Sequence, residues 1–310
     1  MGVHIAVDIG GTHLRAAVYP LHSQEPLEHK KITTKHPGES PWDRLVKLIT
    51  SIWPAGEEVA GIGVAAPGPL DPYRGVLFSA PNIPEWINLP LVKLLQDQYH
   101  VPVTVGNDAN LAALSEWRFG AGKGHKHLVY MTISTGIGGG VIADNRMLVG
   151  TRGLTAEFGH VSVLPDGPLC GCGQRGHLEA LAAGPAIARW VETEIANGVP
   201  SSLAKLEQIT AKQVAEAANL GDELARRALL RAGAFIGKAL ADILHIFNPS
   251  IIVIGGGVSR SGALLMDPIR KEMEARVMNP HYLDNLTLTT AALGDDTVLL
   301  GALALARELA

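Results

Sequence analysis

The sequence predicts an α/β protein of two domains, on three observations. Apolar segments of strand length alternate with segments of helical periodicity along most of the chain, the pattern of layered α/β folds. The length of 310 residues leans towards two domains at about 150 residues each. The 35 glycines, about 11 per cent of the chain against a typical ~7 per cent, cluster where apolar strands end. Clustered glycine there points to tight turns or to close approach of backbone and ligand.

In order, residues 3–7 read as a strand, Asp8-Ile9-Gly10-Gly11-Thr12 breaks it, and residues 14–19 resume it. Residues 41–53 have helical spacing, with Leu45, Leu48, Ile49 and Ile52 on one face. A strand follows at 59–65, and Pro67-Gly68-Pro69 is rigid punctuation. Residues 91–99 read as helix, 101–105 as strand and 109–118 as helix. A strand at 127–133 runs into Ser134-Thr135-Gly136-Ile137-Gly138-Gly139-Gly140 and restarts at 141–143, so the strand–glycine turn–strand unit occurs twice. Helices are predicted at 186–197, 211–219 and 222–247, a strand at 250–254 closing on Gly255-Gly256-Gly257, and helices at 264–276 and 297–309.

Composition excludes several classes. A chain 47% hydrophobic and 18% charged is too apolar for intrinsic disorder. A formal net charge of -4 gives no electrostatic footprint for nucleic acid. No apolar run reaches the ~18 residues of a membrane span. Residues 1–5 carry no basic region and lead straight into the first glycine motif, so no signal peptide is expected. The two cysteines, Cys170 and Cys172, are one residue apart, where a disulfide would be strained. They suit reduced metal ligands in a cytoplasmic protein.

A phosphate needs backbone N–H groups pointing inward and no Cβ in the way. Asp8-Ile9-Gly10-Gly11-Thr12 meets that need, with the Thr12 hydroxyl as a further donor and Asp8 placed to hold Mg²⁺ directly or through water. Taken alone it also fits a plain hairpin turn beside an acidic residue. The run from Thr135 to Gly140 repeats the chemistry, and two such hairpins suggest jaws closing on a polyphosphate. Gly255-Gly256-Gly257 would let a flat nucleotide ring lie against bare backbone, or be a simple strand-to-helix connection. Gly61-Ile62-Gly63-Val64-Ala65-Ala66 mimics a dinucleotide fingerprint, but the prolines that follow leave no helix to receive a pyrophosphate. The Gly-Lys-Ser/Thr ending of a P-loop is absent.

Asn107-Asp108 lies between an apolar strand and an amphipathic helix. One of the two is an N-cap, or Asp108 is a general base kept ionised by the helix dipole; both can hold at once. Glu157 and Glu179 could each accept two hydroxyls of a vicinal diol, or be solvated surface carboxylates. His160, Cys170, Cys172 and His177 make a complete tetrahedral Zn²⁺ set with no open position, hence a structural site. The alternative is two free thiols and two unrelated histidines.

The motifs in this order, with Pro67-Gly68, Asn82-Ile83-Pro84-Glu85-Trp86, Glu157-Phe158-Gly159-His160 and the stretch from Cys170 to Glu179, resemble the ROK family of repressors, uncharacterised reading frames and sugar kinases, specifically its bacterial glucokinase-like members. The resemblance covers essentially the whole chain. It implies a two-domain actin-like ATPase (ribonuclease H-like) fold with an interdomain active-site cleft. The smaller domain would span residues 1–115, with a helix at about 296–310 packing back on it, and the larger 116–295 with the zinc loop. It implies Asp8, Gly10, Gly11 and Thr12 as the first phosphate site, Thr135 and Gly136 as the second, and Gly255, Gly256 and Gly257 towards the adenosine. Asn82, Asn107, Asp108, Glu157, His160 and Glu179 would contact the sugar, with Asp108 as base on its 6-hydroxyl. His160, Cys170 and Cys172 would hold zinc. Members usually carry a third Cys where this chain has His177, and imidazole is a competent replacement.

The implied activity is ATP- and Mg²⁺-dependent phosphorylation of a hexose at the 6-hydroxyl, glucose first, by a cytoplasmic homodimer or homotetramer without nucleic acid or membrane partners. The rivals are N-acetylmannosamine, N-acetylglucosamine, fructose or allose as substrate, and a sugar-responsive repressor. The position of Asp8 so near Met1 is expected to leave no room for the repressors' DNA-binding domain.

Overall fold

The computed structural model describes residues 2–309, which divide into two compact units. The first holds the chain up to Gly124, Met147–Thr155 and the chain from Ala292 onward; the second holds His125–Arg146 and Ala156–Ala291. An expected boundary at residue 115 would cut through a helix, Asp108–Arg118, which belongs whole to the first unit.

The first unit is built on strands β1 (Gly2–Ile9), β2 (His13–Pro20) and β3 (Glu28–Thr33), helix α1 (Pro41–Ser51), strand β4 (Glu58–Ala66), a small sheet of β5 (Leu70–Asp71), β6 (Val76–Ser79) and β7 (Ile87–Leu89), then α2 (Leu91–Tyr99), β8 (Val103–Asn107) and α3 (Asp108–Arg118). Its five-stranded sheet has the order β3-β2-β1-β4-β8. β1 runs antiparallel to β2 and parallel to β4, and β4 runs parallel to β8. α1 starts at a Ser40 cap accepting from the Asp43 amide at 3.1 Å, with Pro41 preset for the first turn. Its buried Leu45, Leu48 and Ile49 join Ile5, Val7 and Leu14 in the core, at roughly 1.5–3 kcal/mol for each such side chain buried.

The second unit begins with β9 (Leu128–Ile133), β10 (Ile137–Ala143) and β11 (Arg146–Met147), continues through helices α4 (Leu178–Ala182), α5 (Gly184–Ala196), α6 (Ala211–Asn219) and α7 (Glu223–Phe247), and ends with β12 (Ile251–Gly255), α8 (Ala263–Glu274) and β13 (Thr287–Thr290). Its sheet order is β11-β10-β9-β12-β13. β9 is antiparallel to β10 and parallel to β12, and β12 is parallel to β13. Each unit therefore repeats one plan: a hairpin whose first strand lies parallel to a later pair. Two copies of this topology are the two-domain actin-like ATPase (ribonuclease H-like) class. The last helix, α9 (Thr297–Ala306), returns to the first unit and packs on α3, β1 and β4. Close approach there needs a bare backbone at Gly63, where a Cβ would run into the Ala302 carbonyl.

Three elements depart from expectation. β3 was not predicted: Glu28-His29-Lys30-Lys31-Ile32-Thr33 has almost no apolar content, yet it pairs with β2 as a charged edge strand. The three-stranded β5–β7 sheet is built from strands too short to show a period. β10 starts at Ile137, so Gly138, Gly139 and Gly140 belong to a strand and only Thr135-Gly136 to the turn. No helix among the described residues is long and apolar enough to cross a membrane.

Candidate active site

In the first unit the predicted residues gather at the strand ends β1, β4 and β8. β1 runs through Asp8, and the chain reverses over Gly10-Gly11-Thr12 with the Gly10 amide donating to the His13 carbonyl at 2.9 Å. Buried Thr34 braces the turn: its hydroxyl donates to the Gly10 carbonyl at 2.6 Å and its amide to the Thr12 carbonyl at 2.9 Å. Asn82 sits against Gly11, where a Cβ would overlap its side chain. The Asp8 carboxylate is buried beside Arg15, with Nε 2.8 Å and Nη2 2.7 Å from Oδ2. Burial pushes its carboxyl pKa up, the Arg15 charge and hydrogen bond oppose that, and the net direction is upward.

Of the two candidates for the helix cap, Asn107 takes that position. Asn107 is the cap of α3, its Oδ1 accepting from the amides of Ala109 at 3.0 Å and Asn110 at 3.2 Å. Asp108 is the first residue of the helix, its Oδ1 accepting from the Ala109 amide at 2.7 Å. The positive end of the helix dipole lies at this position.

In the second unit Gly139 of β10 serves packing. A Cβ at Gly139 would overlap the Phe158 ring, and one at Gly159 would overlap the Ile137 carbonyl. Bare backbone thus lets the 3-10 turn Phe158–His160 lie on β10 and fixes Glu157 and His160 at its ends. Burial raises the Glu157 carboxyl pKa, with His160 pulling it down and Glu179 pushing it up. Glu179 lies in the first turn of α4, and its Oε2 accepts from the Ile137 amide at 3.0 Å.

The triple glycine also splits by role. A Cβ at Gly255 would overlap the Tyr130 hydroxyl, and Gly256, at φ +83°, passes under the Ile133 carbonyl. Gly257 has open space around it and lines a cavity of about 650 Å³ together with Ser134 and Thr135 of the β9–β10 turn. Thr135 and Gly257, far apart in sequence, thus meet at one cavity; Gly136, Gly255 and Gly256 do not line it. Its remaining wall includes Gln208, Lys212, Glu216 and Asn219 on and before α6, and Arg260. Sequence reasoning read this stretch only as helix. The one available signal was the Thr210–Gln213 capping box that starts α6.

The four metal-ligand candidates come together. Their ligand atoms all lie within 4.8 Å of one another, with Cys170 Sγ 3.7 Å from His160 Nδ1 and Cys172 Sγ 3.2 Å from His177 Nδ1. A zinc tetrahedron with bonds of about 2.0–2.3 Å spaces its ligands roughly 3.3–3.8 Å apart; the two close pairs match that spacing, and two thiols with two imidazoles are a donor set that suits zinc. The loop doubles back just after the second thiol: the Cys170 amide donates to the Gln174 carbonyl at 2.7 Å, and Gly173, at φ +90°, makes the turn.

The duplicated sheets, each with a glycine turn in its first hairpin, one followed by a helix-borne aspartate and the other by a Cys/His loop, define a member of the actin-like class. The ROK family model matches residues 4–309, and the chain belongs to that family. It is 37% identical to the glucokinase of Thermotoga maritima over 312 residues, 98% of this chain and 97% of that one. A ROK family glucokinase from Streptomyces griseus, solved in complex with glucose and AMPPNP, superposes with a TM-score of 0.84 at 37% identity, covering 99% of this chain and 100% of that one. A ROK family transcriptional regulator, a homologue of the E. coli MLC protein, superposes at 0.91 with 28% identity, this chain covering 78% of it.

Proposed function

We propose that this chain is an ATP-dependent glucokinase, transferring the γ-phosphoryl group of ATP to the 6-hydroxyl of glucose to give ADP and glucose 6-phosphate. The near-full-length likeness to glucokinases supports the substrate pair. The observation that carries the chemistry is Asp108, a carboxylate in the first turn of α3 with one oxygen engaged by the Ala109 amide. The carboxylate takes the 6-hydroxyl proton as the hydroxyl oxygen attacks phosphorus. Phosphoryl transfer needs little else from a protein than alignment and charge stabilisation.

In this reading Asn82, Asn107, Asp108, Glu157, His160 and Glu179 hold the sugar hydroxyls. Gly10, Gly11 and Thr12 offer donors to one part of the triphosphate, and Thr135 and Gly136 to another. The nucleoside enters the cavity at Gly257. Arg15 engages Asp8 Oδ2, and Oδ1 is the atom we assign to magnesium, which when bound neutralises phosphate charge. His160, Cys170, Cys172 and His177 would hold a structural zinc that fixes the loop carrying His160. We place the enzyme in the cytoplasm, at the entry to glucose breakdown, as a homodimer or homotetramer.

A coupled assay of ADP release over a panel of glucose, fructose, allose, N-acetylmannosamine and N-acetylglucosamine tests the substrate. Glucose should give the highest kcat/KM with ATP. Preference for an N-acetylated sugar would move the assignment to a sister kinase, and sugar binding without turnover would favour a sensor.

A further inference from the structure

Glu179 touches more than a sugar-binding role requires. Its Oε2 accepts from the Ile137 amide at 3.0 Å and lies over Gly136, where a Cβ would come within 2.6 Å of that oxygen. Its Oε1 lies 3.9 Å from Cys170 Sγ. On the other side of the same turn the Gly184 amide donates to the Ser134 carbonyl at 2.8 Å, and within the turn the Ser134 amide donates to the Gly136 carbonyl at 2.9 Å. Residues 135–136 are therefore held on one flank by the Glu179 side chain and on the other by the start of α5.

The placement of Glu179 is itself fixed by the Cys/His loop. α4 starts directly after His177, and the Leu178 amide donates to the Val161 carbonyl at 3.0 Å, next to His160. One carboxylate thus joins the metal-ligand loop to the turn whose Thr135 opens on the cavity.

Resting on the kinase reading above, we propose that Glu179 is a positioning residue for the nucleotide's phosphates: by holding the Ile137 N–H it keeps the Thr135-Gly136 turn in its phosphate-accepting shape, so that its loss weakens nucleotide binding even with no sugar present. A carboxylate beside a phosphate turn is electrostatically unfavourable for an incoming anion. Its value there lies in the hydrogen bond, which a neutral amide oxygen can also accept.

The test uses the zinc-loaded full chain and Mg²⁺-AMPPNP as probe, with calorimetric titration in the absence of sugar. Glu179→Ala should weaken AMPPNP about tenfold, the scale of one lost hydrogen bond to a charged group. Glu179→Gln should stay within about twofold of the parent for AMPPNP while its KM for glucose rises. Hydrogen–deuterium exchange across β9–β10 is the second readout: faster exchange at Ile137 in the alanine variant, and parental exchange in the glutamine variant. Equal AMPPNP affinity for the alanine variant and the parent, or unchanged exchange at Ile137, overturns the proposal. So does equal loss in both variants, because a general structural role would not be rescued by glutamine. Failure of the kinase reading is separately visible as absence of AMPPNP binding by the parent, and the exchange comparison still decides the role of Glu179.

Discussion

Arg15 meets Asp8 through two nitrogens on a single oxygen, Nε at 2.8 Å and Nη2 at 2.7 Å from Oδ2. The register of β1 and β2 places the two residues opposite each other across the hairpin. Nη1 of the same guanidinium donates to the Asp295 carbonyl at 2.5 Å, so the arginine also ties the β1–β2 hairpin to the chain leading into α9. Removing one partner of a buried pair leaves the other charge uncompensated, at a cost of about 3–5 kcal/mol. Arg15→Met should lower the unfolding free energy in urea by about 3 kcal/mol and raise the KM for MgATP more than that for glucose. A change under about 1 kcal/mol would mean that the pair is solvated in solution.

Glu116 is an acid that the sequence did not single out. It is fully buried on α3, and its carboxylate accepts from the amides of Ala121 at 2.9 Å, Ala292 at 3.0 Å and Leu293 at 3.0 Å. One side chain thus holds, within the first unit, the chain segments on either side of residues 125–291. Three part-buried amides lose their acceptor in Glu116→Ala, each at up to about 1–3 kcal/mol. We expect a loss of at least about 3 kcal/mol, or no soluble protein. Glu116→Gln, which keeps one acceptor oxygen, should fall between. Urea midpoints of the two variants check the order.

The metal loop predicts about one zinc per chain by metal analysis of purified protein. Cys172→Ser and His177→Ala should each lower that content and the melting temperature, whereas His177→Cys should retain zinc. Zinc at parental level in His177→Ala would remove His177 from the ligand set.

Asp222 sets an acid limit on stability. It caps α7 and accepts from Ser201 Oγ at 2.8 Å, from the Ser202 amide and hydroxyl at 2.7 Å each, and from the Ala225 amide at 3.0 Å. Burial pushes its carboxyl up, but these hydrogen bonds outweigh it and hold the pKa down to about 2. A depressed folded-state pKa contributes stability above the unfolded value and loses it as pH falls towards the folded one. Asp222→Asn should therefore melt below the parent near neutrality, and the gap should close between about pH 4 and pH 2. A gap independent of pH over that range would contradict the assignment.

What the sequence made legible was what depends on local chemistry. Glycine followed by a hydroxyl residue at Gly11-Thr12, an Asn-Asp pair before a helix, and Cys/His spacing each carry their reason within a few residues. The Leu45, Leu48, Ile49 and Ile52 face of α1 showed itself by period alone. Roles set by distant partners stayed hidden. Gly139 looked like part of a phosphate turn because nothing local reveals that Phe158 lies on it. Arg15, Thr34 and Glu116 read as ordinary residues until their partners were known. The α6 wall of the cavity is polar on a surface helix, where polar residues need no explanation.

The central claim is that Asp108 deprotonates the sugar. It is tested most directly by steady-state turnover of Asp108→Asn at saturating ATP and glucose, beside a titration of glucose binding. The account predicts kcat lower by roughly 10²–10⁴-fold with glucose affinity close to the parent's. Turnover above a few per cent of parental with unchanged glucose affinity would contradict it.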